Sequence, residues 1–378
     1  MPGSDFEAKI IRVEGRAKGR DHQALQAALA NCLGALMQAG AAPAFLSGLI
    51  WSGPDPAALH PNRLVVDRIW REVFAGFRPP VQLKYSPGDE VIVEALANVP
   101  SAPASLEPVL RGYTAAQIAQ QMSPRGQVPD MGAVFAKWSR EGVLARAQHS
   151  GLDIAYGAHR DECLDLYRPQ GVAKPPIWAF LHGGYWQASS KDQHAQFCLG
   201  MVQAGFAVAN IDYPLAPETS LAQIVTHVRK ALHFLVDQAE FLGLDAKRLH
   251  VAGHSAGGHL AAYLACDELA PKLNSAHVLS GVVDLEPLLH MPMGRILGLK
   301  SLEQARMLSP LFKQPRPGTR IAIALGGAES DEFKRQSQAL SEAWQSDPVL
   351  IIKGENHFSL LEHLKEGALL DQALHLCQ

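Results

Sequence analysis

Leu249-His250-Val251-Ala252-Gly253-His254-Ser255-Ala256-Gly257-Gly258-His259-Leu260 decides the reading of this chain. It holds the pattern Gly253-x-Ser255-x-Gly257. An apolar run suited to a strand precedes it, and a helix-forming run begins at Leu260. In that context the pattern describes a sharp strand-to-helix turn that exposes a serine hydroxyl, a nucleophile elbow. The bland alternative is a glycine-rich turn with an idle serine. Only partner groups elsewhere in the chain can separate the two.

A serine hydroxyl is a weak nucleophile at neutral pH. It needs a base within hydrogen-bond reach and an acid that orients the base. In the strand–helix folds that carry such an elbow, the acid and then the histidine follow the serine in the chain. His357 is the expected base. It follows an apolar run directly, in Lys353-Gly354-Glu355-Asn356-His357-Phe358. His277 is read as preceding a strand, and His363 and His375 as lying in a terminal helix. The acid should follow the preceding strand, which ends in Gly326-Gly327-Ala328-Glu329-Ser330-Asp331. Glu329 is the first choice because it is nearer the strand end. Asp331 is the alternative acid, although a carboxylate opening a helix is also favoured by the helix dipole alone. Leu181-His182-Gly183-Gly184-Tyr185-Trp186 closes another apolar run. Acyl transfer needs preorganised N–H donors for an oxyanion. Gly183, Gly184 and Ala256 are the expected donors. His182, Tyr185 and Trp186 are the candidate substrate-contacting residues. Tyr185 and Trp186 could stack on an aromatic leaving group or simply pack.

From Leu152 onward, strand and helix patterns alternate. Strands are expected over Leu152–Tyr156, Cys163–Tyr167, Ile177–Leu181, Ala207–Ile211, Leu249–Ala252, Val278–Val282, Ile321–Leu325 and Val349–Ile352. Helices are expected over Gln193–Ala204, Leu221–Leu242, Gly258–Glu268 and Glu332–Trp344. The class is α/β: a mostly parallel sheet with helices on both faces. Ligand sites in such sheets lie at the carboxyl ends of the strands, where all the motifs above fall. Helices at Thr114–Met122 and Ala133–Ala147 come before this sheet. They could cap a pocket or cover a sheet face.

The elbow, the His182-Gly183-Gly184-x-Trp186 loop, Glu332-Phe333-Lys334-Arg335-Gln336-Ser337 and His357-Phe358 together resemble the α/β-hydrolase superfamily, and within it the kynurenine formamidase-like branch. Tyr213-Pro214-Leu215-Ala216-Pro217 is similar to a loop of related esterases. The resemblance covers about residues 108 to 378. It implies a serine hydrolase acting on an aryl formamide, with N-formyl-L-kynurenine giving kynurenine and formate as the first substrate to try. No cofactor and no metal are called for. The formamidases carry an aspartate where Glu329 stands, which keeps the identity of the acid open. Two other readings stand beside this one: a carboxylesterase or other amide hydrolase with the same triad, and a non-catalytic scaffold.

Residues 1–98 read as a small α+β unit. Strands are expected at Lys9–Val13, Phe45–Trp51, Val81–Tyr85 and Glu90–Ala97, the last two around the turn Ser86-Pro87-Gly88-Asp89. Helices are expected at Asp21–Ala39 and Asn62–Ala75. Leu25, Leu29, Leu33 and Leu36 mark the buried face of the first. Ala24–Asn31, Asp67–Phe74, Pro79-Pro80 and Val91–Ala95 resemble the RidA/YjgF family of enamine/imine deaminases. That family has an arginine after the paired prolines to hold a substrate carboxylate. Here Val81-Gln82-Leu83 follows, and glutamine cannot supply the cationic fork. Lys84 would be only a point charge. A degenerate module for assembly or stability is therefore expected ahead of an active deaminase, which stays the alternative, and the resemblance implies a homo-oligomer. The Pro/Ser/Ala stretch at residues 99–108 reads as a linker, with the second domain spanning 109–378.

The 378 residues are 47% hydrophobic and 19% charged, so the chain can build a globular core. A net charge of -3 gives no footprint for nucleic acid or a membrane surface. The five cysteines are scattered without a CxxC pair, which suits a reducing compartment. Residues 1–20 lack an apolar core of a signal peptide, and no apolar run approaches the about 18 residues that span a bilayer. A cytoplasmic enzyme with a small-molecule substrate is the expectation.

Overall fold

A computed structural model describes residues 8–18, 22–38, 46–53, 81–85, 87, 90–100, 107–128, 130–149 and 151–378. The chain divides into two units, Met1–Lys137 with Pro287–Ile296, and Trp138–Glu286 with Leu297–Gln378. Among the described residues, no helix is long and apolar enough to cross a membrane.

In the first unit, strands β1 (Ala8–Lys18), β2 (Leu46–Gly53), β3 (Val81–Tyr85) and β4 (Glu90–Pro100) form one sheet in the order β1-β4-β2-β3. Helix α1 (His22–Gln38) turns Leu25, Leu29, Leu33 and Leu36 onto Leu49, Trp51, Val91 and Val93. The four leucines recur at helical spacing and are all buried, as the pattern required. The pairing of the last two strands departs from the local reading. β3 and β4 are not neighbours; β3 lies parallel to β2, and β4 runs antiparallel between β1 and β2. A turn sequence shows that the chain reverses but not which strand it returns to. Val99 and Pro100, expected in the linker, belong to β4. The expected helix Asn62–Ala75, the stretches Asp67–Phe74 and Pro79-Pro80, Ser86, Gly88, Asp89 and residues 101–106 lie outside the described residues. Gln82 and Lys84 are exposed on β3. Helix α2 (Ala115–Gln121) starts at Thr114 through a full capping box with Gln117. Helix α3 spans Met131–Arg146.

In the second unit, β5 (Gly151–Ala155), β6 (Cys163–Tyr167), β7 (Pro176–Leu181), β8 (Ala207–Ile211), β9 (Asp245–His254), β10 (Ser275–Leu279), β11 (Arg320–Gly326) and β12 (Leu350–Ile352) form an eight-stranded sheet. Its order is β12-β11-β10-β9-β7-β8-β6-β5. The pairs from β12 to β8 are parallel, and β8–β6 and β6–β5 are antiparallel. β7, β8 and β10 are buried along their whole length. β7 is apolar throughout, while β8 carries Asn210 and β10 carries Ser275 and His277 within otherwise apolar runs. The principal crossover helices are α4 (Lys191–Gln203), α5 (Leu221–Asp237), α6 (Ala256–Cys266) and α7 (Asp331–Trp344); α8 (Ala368–Leu376) follows the last strand.

Two strand-level expectations need correction. β10 ends at Leu279, not Val282, because Ser280 takes a φ of 47° and turns the chain out of the sheet. His277 does not precede β10; it lies inside it, buried, with Nε2 at 2.8 Å from Gln372 Oε1.

Four buried histidines share one electrostatic condition. Burial lowers His250, His259 and His277 to about 4, and burial together with nearby His182 lowers His194 to about 3. The unfolded chain restores an ordinary value near 6.5. Between these values the unfolded state binds more protons, so stability falls as pH drops from about 6.5 toward 4. Denaturant midpoints measured across that window should decline. His277→Gln should remove about one proton from the slope, about 1.4 kcal/mol per pH unit. An unchanged slope in that variant would refute a neutral buried His277.

Candidate active site

β9 delivers His254 and Ser255 to the carboxyl end of the sheet, and α6 begins one residue later. Ser255 is buried and holds φ 57° and ψ −114°. A non-glycine residue in that region is strained and persists only where its surroundings enforce it. The enforcement is visible. Ser255 N–H donates to Leu279 C=O at 2.8 Å, and its own carbonyl accepts from His259 N–H at 3.0 Å. A Cβ on Gly257 would come within 1.9 Å of the Leu181 carbonyl oxygen. Only a glycine lets the first turn of α6 press against the end of β7.

The loop after β7 lies against this turn. A Cβ on Gly183 would sit 3.3 Å from Ser255 Cβ. Gly184 has φ +112°, and its carbonyl accepts from the N–H groups of Gln187 and Ala188. Among the described residues, the N–H groups of Gly183, Gly184 and Ala256 donate no hydrogen bond. Gly183 and Ala256, whose N–H groups are unspent, therefore adjoin the serine, and Gly184 follows in the same loop.

His357 is buried after β12. Its Nδ1 stands 2.6 Å from Glu329 Oε2. The ring packs on Phe333 at a centroid distance of 4.7 Å. His254, next to the serine, donates from Nε2 to the His357 carbonyl oxygen at 2.7 Å, and the two rings lie 4.6 Å apart. Burial and nearby His357 hold His254 well below the usual histidine range, so it adds no charge beside the serine. Among the described residues, Ser255 Oγ forms no hydrogen bond to His357; such contacts are often long in the free enzyme and tighten with substrate.

The two rival acids have different surroundings. Glu329 is buried against His357, whereas Asp331 is exposed in the first turn of α7 behind its N-cap Ser330. The second oxygen of Glu329 is also held: Oε1 accepts from Ser280 Oγ at 2.5 Å and from Gly326 N–H at 2.8 Å. Ser280 was missed by the sequence reading, which placed it inside a strand. Its signal was its position, two residues past Val278 at the end of the strand between the elbow and the acid.

The three substrate-contacting candidates are all buried. Trp186 packs edge-on against His259 at 5.0 Å, and Tyr185 meets Trp186 edge-on at 6.0 Å. Burial, with Glu332 nearby, raises the Tyr185 phenol. His182 stacks on Tyr213 at 4.4 Å and faces Asp212. Glu332, Arg335 and Gln336 of α7 form a network with Asp284, in which Arg335 reaches Asp284 and Glu332 at 2.7 Å each.

Comparison with known proteins agrees with this architecture. The family model BD-FAE matches residues 164–284. Kynurenine formamidase of Danio rerio is 31% identical over 240 residues, covering 59% of this chain and 80% of that one. The chain belongs to the kynurenine formamidase family. It is a hydrolase with the α/β-hydrolase fold. Ethyl acetate hydrolase of Pseudomonas putida is 33% identical over 180 residues, covering 43% of this chain and 55% of that one. A solved structure from Silicibacter sp., described as a thioesterase, is 28% identical with a TM-score of 0.59; the match covers 65% of this chain and 94% of that one.

The geometry separates the two acids by experiment. Glu329→Gln should lower kcat by roughly 10⁴-fold, because the base loses its orienting carboxylate. Ser280→Ala should lower it roughly tenfold through the lost charge-assisted bond. Asp331→Asn should stay within about threefold of wild type, as expected of an exposed helix-end charge. Collapse of kcat in Asp331→Asn alone would reverse the assignment.

Proposed function

We propose that the protein is an arylformamidase whose first substrate is N-formyl-L-kynurenine, released as kynurenine and formate. The observation that carries this reading is the likeness to kynurenine formamidase over four-fifths of that enzyme's length, joined to the Ser255, His357 and Glu329 constellation.

Ser255 Oγ attacks the formyl carbon while His357 takes its proton. The carbonyl oxygen becomes an oxyanion and accepts hydrogen bonds from the N–H groups of Gly183, Gly184 and Ala256. His357 then returns the proton to the arylamine nitrogen, and the C–N bond breaks. A formyl ester on Ser255 remains. Water, deprotonated by His357, attacks that ester, and formate leaves as Ser255 regains its proton. Glu329 keeps the imidazole oriented and offsets its charge in both halves. Tyr185 and Trp186 are read as shaping the wall behind the oxyanion loop from within.

A second reading is a carboxylesterase using the same residues, supported by the likeness to ethyl acetate hydrolase. Fold and triad specify acyl transfer more closely than they specify the leaving group. The N-terminal unit, which resembles the deaminases in sequence, is read as an assembly module because Gln82 stands where that family keeps an arginine.

Turnover of N-formylkynurenine should exceed that of 4-nitrophenyl acetate in kcat/KM, and Ser255→Ala should abolish both. Equal or better ester turnover would favour the second reading. Unchanged activity in Ser255→Ala would remove the serine mechanism.

A further inference from the structure

We propose that Asp212 and Tyr213 are positioning residues that brace the two glycine peptides of the oxyanion loop from behind, a role that rests on the serine-hydrolase reading of Ser255. The two residues follow β8, and the peptides they hold follow β7, its parallel neighbour.

A trans peptide is planar, so its C=O and N–H point in opposite directions. Holding the oxygen of one peptide therefore aims its N–H. The His182 carbonyl accepts from Tyr213 Oη–H at 2.7 Å. The N–H of the same peptide belongs to Gly183 and is turned away from Tyr213. The Gly183 carbonyl lies 2.7 Å from His182 Nδ1. That peptide's N–H belongs to Gly184 and is turned away from the imidazole. Both N–H groups are unspent donors of the loop that adjoins Ser255 at Gly183.

The imidazole is itself held. Its Nε2 lies 3.3 Å from Asp212 Oδ1, and its ring stacks on Tyr213 with an interplanar angle of 7°. The ring thus sits between two acceptors, the Asp212 carboxylate at Nε2 and the Gly183 carbonyl at Nδ1. Asp212 is fixed in turn. Its Oδ1 accepts from Lys191 N–H at 2.6 Å, its carbonyl from Tyr156 Oη–H at 2.7 Å, and its N–H donates to Cys163 C=O at 3.0 Å. Burial alone would raise Asp212, yet His182 and Lys191 hold it below the usual carboxylate range. Burial, then the Asp212 charge, pushes the Tyr213 phenol far up, so it retains its hydrogen as a donor. Tyr213 and His182 are each 1% exposed. The set is part of the wall behind the site, not a contact surface for substrate.

Preorganised donors stabilise charge that develops only in the transition state. Misaiming them should lower kcat and leave KM nearly unchanged. Tyr213→Phe keeps the ring stacked on His182 and removes only the hydroxyl. Asp212→Ala removes the ring's acceptor, and Asp212→Asn restores a neutral one of the same shape.

The test uses the full chain with N-formylkynurenine and 4-nitrophenyl acetate. It measures kcat and KM separately, inhibition by an aryl trifluoromethyl ketone that forms a tetrahedral oxyanion on serine, and the thermal midpoint. Tyr213→Phe should lower kcat roughly 10- to 100-fold, short of the full loss of one donor. KM should stay within about twofold, and ketone affinity should fall by the same factor as kcat. Asp212→Ala should behave likewise, with Asp212→Asn recovering part of the loss. The inference is overturned if Tyr213→Phe and Asp212→Ala retain kcat and ketone affinity while Ser255→Ala is inactive. It is also overturned if the loss appears in KM with ketone affinity intact. Activity retained in Ser255→Ala would instead overturn the serine mechanism itself, and the bracing role with it.

Discussion

The close approach of the first turn of α6 to the carbonyl end of β7 governs this site. There is room at residue 257 for a hydrogen and nothing larger, because the Leu181 carbonyl oxygen occupies the space a side chain would need. The same tightness operates within the elbow, where a Cβ on Gly253 would come within 2.1 Å of the Gly257 carbonyl oxygen. The backbone absorbs the constraint at Ser255, which is held at positive φ. A strained serine is the cost of bringing the helix start and the loop at Gly183 to one point. Once there, Gly183 and Ala256 both adjoin the serine with their N–H groups unspent.

The sheet order supplies the rest of the geometry. β9, β10 and β11 are parallel neighbours, so their carboxyl ends lie side by side. Ser255 leaves β9, Ser280 leaves β10 and Glu329 follows β11. A glutamate carries one more methylene than aspartate and so has more ways to point. Two donors restrict it here: Ser280 Oγ and Gly326 N–H hold one oxygen, and the other faces His357. The side chain's reach is therefore set by Ser280 after the neighbouring strand and by the end of its own strand, not by its own length.

Much of the fold was legible because the strands of the second unit are buried on both faces. β7 reads as a continuous apolar run and β8 as one broken only by Asn210, and their expected bounds lie within a residue of those observed. β10 was misplaced for the same reason. Val282 and Val283 are buried and extend the apolar run, but the chain has already left the sheet at Ser280. Apolar content reports burial, and burial does not end where a strand ends. In the first unit, period and turn residues located β3 and β4 but not their partners. Strand pairing is a long-range property, and β3 joins β2 across a connection that local pattern does not orient.

The sequence by itself determined the elbow, the glycine loop, the strand–helix alternation and the order in which serine, acid and histidine follow one another. These depend on backbone sterics and short-range periodicity, which a few adjacent residues specify. Tertiary structure alone distinguished the surroundings of Glu329 from those of Asp331, brought Ser280 onto the acid, and set Asp212 and Tyr213 behind the oxyanion loop. Those relations join residues 28 to 49 positions apart, and hydrogen bonds across such distances exist only once the parallel strands have stacked their ends together.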